Sequence, residues 1–412
     1  MNTATETTSP VQATLALPAG APAAARTVLG LLQRLRHGQL TVQLPDGSVR
    51  RFGGGDGPSA SLRLHNWNVC AAALKSGDIG FAEGFIAGDW STPQLTELLR
   101  LFIANRREVE DVIYGSWLGR LAYRLRHLLH RNTKRGSQKN IHAHYDLGNA
   151  FYELWLDDTM NYSSALFESP AQPMREAQQA KVRRALRMAG VQPGHRVLEI
   201  GCGWGALAEM ATTEFGASLV GVTLSTEQLA WAQARMQRLG TAAQADLRLQ
   251  DYRDIAASEG PFDAICSIEM IEAVGREYWP TYFQAVARLL KPGGRACIQS
   301  IVIADELFER YLGSTDFIQQ YIFPGGCLPS PTAFREEAER AGLQLVDAFS
   351  FGQDYAHTLK LWRDDFLARE EQVLTLGFDR RFMRIWEFYL AYCEAAFAER
   401  NTDVAQYTLV KV

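Results

Sequence analysis

The six cysteines of this 412-residue chain include no C-x-x-C pair: Cys70, Cys202, Cys266, Cys297, Cys327 and Cys393 lie far apart. That excludes a zinc knuckle and a dense disulfide framework, and suits reduced thiols in a cytosolic protein. No stretch of eighteen apolar residues is free of charge. The strongest candidate, Phe382 to Phe397, carries Arg384, Glu387 and Glu394, so no membrane span is expected. A surplus of one charge is also missing. The 42 basic and 46 acidic residues leave a formal net charge of −4, which directs no global field at nucleic acid. Met1 to Ala25 hold a single charge, Glu6, and neither the basic start nor the apolar run of a secretory signal. Residues 1–25 read as a disordered tail. His142 and His144 have no acid or cysteine at ligand spacing, so no metal is assigned.

What the chain does have is apolar material for more than one core. Hydrophobic residues make up 47% and charged residues 21%, and the length predicts two to three domains. Residues 26–114 read as a smaller amino-terminal α/β domain. Arg26 to Arg36 has helical spacing, and Leu40 to Leu44 and Ser48 to Phe52 flank the turn triplet Pro45-Asp46-Gly47. Gly77 to Trp90 is dense in glycine and aromatics, and an acid-capped helix is expected to begin near Ser91-Thr92-Pro93. Residues 115–140 carry seven positive charges, among them Arg120, Arg124 and Arg131, and no acid. With Trp117, Leu118, Leu121, Leu125, Leu128 and Leu129 on one stripe, they predict a basic amphipathic helix or linker. It would lie against anionic lipid headgroups or pack its leucines on a core.

From residue 141 onward, strand-like runs alternate with helical patterns. The strands expected are Arg196 to Ile200, Leu219 to Val222, Leu247 to Leu249, Ala264 to Ile268 and Arg295 to Ile303. This alternation predicts an α/β fold, a doubly wound parallel sheet that binds ligands beyond the carboxyl ends of its strands. After the first strand the chain reads E-x-G-x-G-x-G, with Glu199 on the strand and Gly201, Gly203 and Gly205 in the turn. A dinucleotide site would read G-x-G-x-x-G with a later acid. The spacing here resembles the nucleoside-binding loop of class I S-adenosylmethionine methyltransferases. Thr223, Leu224 and Gln228 then fall where ribose hydroxyls would sit. Asp251 and Tyr252 fall where the adenine amine and ring face would sit, with Ile268 supplying apolar contact.

Beyond the loop, HYDLGNAFY (His144 to Tyr152), MNYSS (Met160 to Ser164), LEIGCGWG, GVTLSTEQ, QDYRD, EMIEAVG (Glu269 to Gly275), LKPGG, YIFPGGCLPS and FGQDYAHTLKLW (Phe351 to Trp362) resemble the cyclopropane fatty acid synthase family. The resemblance runs from about residue 140 to the end, and GFAEGFIAGDW resembles that family's amino-terminal, lipid-binding-type domain. It implies a class I methyltransferase, Rossmann-like domain over 141–412. It also implies S-adenosylmethionine as cofactor and, as reaction, methyl or methylene transfer to the double bond of an unsaturated acyl chain in a membrane phospholipid. An alkene has no proton to remove before it attacks, and no nucleophile-activating triad is visible.

The resemblance further implies a bicarbonate base. Motif by motif its ligands fall on Glu272, Tyr355 and the backbone of Ile301, with Ser164 where a cysteine is usual and Gln299 where a histidine is usual. The histidine that normally follows the glutamate is Ala273. Tyr162 and Ser163 match positions near the cofactor carboxylate. If an anion sits between Ser164, Gln299, Glu272 and Tyr355, ring closure is open to the enzyme. Otherwise Glu272 or water takes a proton from a neighbouring carbon and leaves a methyl-branched or methylene chain, the outcome favoured here. A methyltransferase for a soluble small molecule and a lipid-binding protein with a degenerate site are the rivals. The expected setting is the cytoplasmic face of the inner membrane, peripherally bound through residues 115–140, as a homodimer by resemblance.

Overall fold

The computed structural model describes residues 20–109 and 147–412. The basic segment 115–140, most of the expected tail, and His142 and His144 lie outside the described residues. Among those described, no helix is long and apolar enough to cross a membrane, and no group of three or more His, Cys, Asp or Glu is placed to hold a metal.

The first sheet has the order β2-β1-β3-β4. Here β1 is Gln39–Gln43, β2 Val49–Gly53, β3 Ser59–Leu64 and β4 Trp90–Ser91. β1 and β2 form the expected hairpin, Gly47 holding the left-handed conformation (φ +84°) that closes its turn. Alternation along β1 turns Leu40 and Val42 inward. The first helix, Ala23–Leu32, starts three residues earlier and ends four earlier than its apolar spacing suggested. The glycine-aromatic segment proves to be the second half of a kinked helix, Asn68–Ala87, bent at Gly77 (φ +61°). The bend brings Gly80 so near the first half that a Cβ there would stand 2.1 Å from the Ala72 carbonyl oxygen. The next helix, Leu95–Ala104, is not acid-capped; Gln94 precedes it, its side chain taken by the Ser61 N–H at 3.2 Å.

The second sheet has the order β10-β11-β9-β8-β5-β6-β7. It comprises β5 (Arg196–Ile200), β6 (Ser218–Thr223), β7 (Ala245–Leu249), β8 (Phe262–Ile268), β9 (Leu290–Ile303), β10 (Leu343–Ser350) and β11 (Thr402–Lys411). With helices wound around it, this is the Rossmann-like class I methyltransferase arrangement. The sheet is mixed rather than wholly parallel, because β11 runs antiparallel to both β9 and β10. Neither β10 nor β11 was expected from the sequence. β10 is an edge strand with most of its side chains exposed, and β11 buries Gln406 and Thr408 among its apolar residues.

Between β10 and β11 lie three helices, Gly352–Ala368, Glu370–Thr375 and Arg380–Ala398, with Gly377 at φ +98° before the last. The last of them completes the core of the first unit. Phe388 meets Phe85 with ring centroids 5.8 Å apart, and buried Glu394 accepts hydrogen bonds from Thr96 at 2.9 Å and Arg363 at 3.0 Å. One apolar cluster therefore runs from Leu29 and Trp90 through Trp386 to Trp155 and Trp362. Each large side chain so buried contributes roughly 1.5–3 kcal/mol.

Candidate active site

The carboxyl ends of β5, β6 and β8 surround a cavity of about 170 Å³. Tyr162, Ser163, Glu199, Gly201, Gly203, Thr223, Leu224, Gln228, Asp251, Tyr252 and Ile268 all line it. Gly205 does not; it lies behind the turn, where a Cβ would stand 3.0 Å from that of Ala232. The three loop glycines have φ of +86°, +49° and +84°. At Gly203 nothing lies within 4 Å of a built Cβ, so bare backbone faces open space there. Trp204 donates to Asn149 at 2.7 Å and packs on Tyr152, which fastens the short helix Asn149–Tyr152 over the loop.

The polar groups of this cavity are ready for a nucleoside. Buried Glu199 has one carboxylate oxygen, Oε2, without a partner, and burial pushes its pKa well up despite Lys181 and Arg235 nearby. An orphaned acceptor beside an open backbone turn fits the hydroxyls of a bound cofactor. Thr223 donates to Gln228 at 3.0 Å. Asp251 lines the cavity with its carboxylate also engaged by Arg253, through the backbone N–H at 2.9 Å and the guanidinium at 2.8 Å. The buried Tyr252 hydroxyl has no partner. Ser163 accepts from the buried Lys181 ammonium at 2.5 Å, and its carbonyl accepts from Gln178.

A second cavity, of about 190 Å³, shares Tyr162, Glu269 and Ala273 with the first. Its other walls include Ile301, Phe323, Leu328, Leu359, Tyr389 and Phe397. A third, of about 250 Å³, lies against Leu29, Val42 and Leu62 of the first unit and shares Tyr311, Tyr392 and Ala396 with the second. The three adjoin in a row from Gly203 to Leu29.

Two glutamates stand where the first two cavities meet. Glu269 follows β8 with φ +50°, a left-handed conformation that costs a non-glycine residue about 1–2 kcal/mol. Its Oε1 accepts the Ser164 backbone N–H at 2.9 Å and the Gln299 amide at 2.7 Å, and its Oε2 accepts the Tyr355 hydroxyl at 2.6 Å. Gln299 is itself held by Gln406 at 3.1 Å. The Ser164 hydroxyl points elsewhere, donating to the Ala165 carbonyl at 2.9 Å. Burial raises the Glu269 pKa, opposed by Lys181 and by these donors. Glu272 accepts the Ile301 N–H on one oxygen and leaves the other without a partner. Burial, then the charge of Glu269, pushes its pKa up to about 8.

The five groups expected around one anion thus divide. Ser164, Gln299 and Tyr355 gather on Glu269, a residue sequence reasoning passed over, while Ile301 alone pairs with Glu272. Bicarbonate does not fit among the first three as the protein stands, because the Glu269 carboxylate fills the space they point into. The only signal in the sequence was an acid immediately after a buried strand, where an unpaired charge is costly.

Comparison with known proteins places the chain in a family. Residues 132–407 match the family model described as mycolic acid cyclopropane synthetase. The chain is 39% identical over 409 residues to the tuberculostearic acid methyltransferase UfaA1 of Mycobacterium tuberculosis, covering 96% of this chain and 94% of that protein. It is 33% identical to the cyclopropane-fatty-acyl-phospholipid synthase of Escherichia coli, covering 84% and 87%. Among solved structures, mycolic acid cyclopropane synthase CmaA1 complexed with SAH and CTAB matches at 32% identity and a TM-score of 0.62, covering 66% of this chain and 98% of that one.

Proposed function

The chain belongs to the mycolic acid cyclopropane synthetase family and is an S-adenosylmethionine-dependent methyltransferase, and from that premise we propose that it methylates the double bond of an unsaturated acyl chain carried by a membrane phospholipid. The observation that carries the reading is the junction at Tyr162, Glu269 and Ala273, where the cofactor cavity opens onto an apolar one that continues into the first unit. A soluble small substrate would have no use for so long an apolar path. Burying about ten methylenes in it would contribute roughly 8 kcal/mol toward binding.

The chain's residues fit the cofactor. The glycine turn admits it to the backbone, Glu199, Thr223 and Gln228 face its hydroxyls, and Tyr252 and Ile268 flank its base. Bound there, it supplies an electrophilic methyl group. Tyr162 and Tyr355 line the apolar cavity, with Trp362 packed against both at ring-centroid distances of 5.5 and 6.2 Å, and this aromatic wall would exclude water from a cationic carbon. The product we favour is an open methyl-branched or methylene chain, since three of the donors expected around a ring-closing bicarbonate are engaged by Glu269. Residues 26–114 would then serve as the lipid-binding domain, and 115–140 as the contact with anionic headgroups at the inner membrane face.

Purified protein, S-adenosylmethionine with a labelled methyl group, and vesicles of a monounsaturated phospholipid test this. Label should enter the acyl chain, and fragmentation should locate a branch at the former double bond. A cyclopropane ring would refute the open product, and unlabelled lipid would refute the function.

A further inference from the structure

In a site whose resemblance calls for a dissolved anion, the hydrogen-bond donors already hold a carboxylate that belongs to the chain. Glu269 borders both the cofactor cavity and the apolar cavity, so it faces the point where donor methyl and alkene would meet. Three donors occupy three of the roughly four acceptor positions of an ionised carboxylate, which leaves one for a proton. A left-handed backbone is held at this glutamate, although a glycine would adopt it without strain, as happens where function sets the conformation. The other carboxylate, Glu272, is less suited, because the Ile301 N–H takes one oxygen and burial beside Glu269 favours its protonated form at neutral pH. Two neighbouring acids whose surroundings differ in this way commonly divide acid and base roles.

We propose that Glu269 is the general base of the reaction, a covalently tethered replacement for the free bicarbonate ion. The inference rests on the lipid-methylation reading above. The alkene π pair forms the new bond to the donor methyl, and the broken C–S bond leaves its electron pair on sulfur. A carbon of the acyl chain is left cationic. Glu269 takes a proton from an adjacent carbon, and the released C–H pair forms a new C=C bond. One methyl group enters the lipid and one proton leaves on Glu269, to be lost to solvent after product departs. Ser164, Gln299 and Tyr355 act as positioning residues that orient the carboxylate.

The test compares methyl transfer to vesicles of monounsaturated phospholipid in buffer freed of carbon dioxide and in the same buffer with added bicarbonate. Wild-type turnover should be the same in both, within about twofold. Glu269→Gln should lose about 10²–10⁴-fold in turnover, the usual contribution of a general base, while S-adenosylmethionine binding by calorimetry is retained. Glu269→Gly removes the carboxylate, suits the positive φ and frees the three donors. It should lose activity equally and regain at least about tenfold with bicarbonate, a response a purely structural role would not give. Wild-type turnover that depends on added bicarbonate, or Glu269→Gln retaining more than a tenth of it, would overturn the assignment. Lipid left unlabelled by the wild type in both buffers would instead count against the substrate reading, which keeps the two failures apart.

Discussion

Replacing Ala396 with phenylalanine should shorten the acyl chains the protein can use. Ala396 lies on the last helix, Arg380–Ala398, in the wall shared by the second and third cavities, with Tyr311 and Tyr392 close by. A ring added there closes the passage into the first unit and leaves the cofactor cavity, which Ala396 does not touch, as it was. Each methylene turned away from the third cavity forfeits about 0.8 kcal/mol, so a chain losing four loses roughly 3 kcal/mol, about two orders of magnitude in kcat/KM. A chain ending before the passage loses nothing. The assay is competition between two phospholipids that share headgroup and double-bond position but differ in the carbons beyond the double bond. Selectivity should swing toward the shorter by about 100-fold, and thermal unfolding would show whether the larger side chain also costs the 1–3 kcal/mol usual for overpacking. Equal losses on both lipids would refute the idea that the third cavity takes the chain end.

Two further outcomes are expected. Asp78 is half-buried beside Asp316 and accepts the Tyr392 hydroxyl at 2.9 Å, and desolvation raises its pKa from 3.8 to about 7. The folded protein therefore binds more protons than the unfolded one between those values. Stability should fall as pH rises from about 4 to about 7, and Asp78→Asn should flatten that slope in denaturant titrations. Reversing the charges of Arg120, Arg124 and Arg131 should release the protein from anionic vesicles at low salt; unchanged co-sedimentation would remove residues 115–140 from the membrane contact.

The parts of the fold legible in the sequence are those whose signal is local. β5 to β9 show as apolar runs between helical patterns, and the glycine turn shows because strand, acid and three glycines follow one another directly. β10 shows no strand signal as an exposed edge, nor does β11, because Gln406 and Thr408, buried between strands, look like surface residues in sequence. The kinked helix Asn68–Ala87 was hidden by its own glycines. Within the site, Glu272, Tyr355, Ser164 and Gln299 were each nominated, but their grouping was not. The partners of Glu269 come from 105, 30 and 86 positions away, and no spacing rule reaches so far. Asp251 was legible as a cavity residue, but its pairing with Arg253, two residues on, was not.

That Phe388 and Glu394 complete the core around Phe85 and Thr96 has a consequence for synthesis. The ribosome releases residues 68–104 almost three hundred positions before the segment that covers them. Until then their greasy side stays bare in a crowded cell, where such nascent surfaces invite aggregation. A product cut short of the last helix would be left with that surface permanently bare.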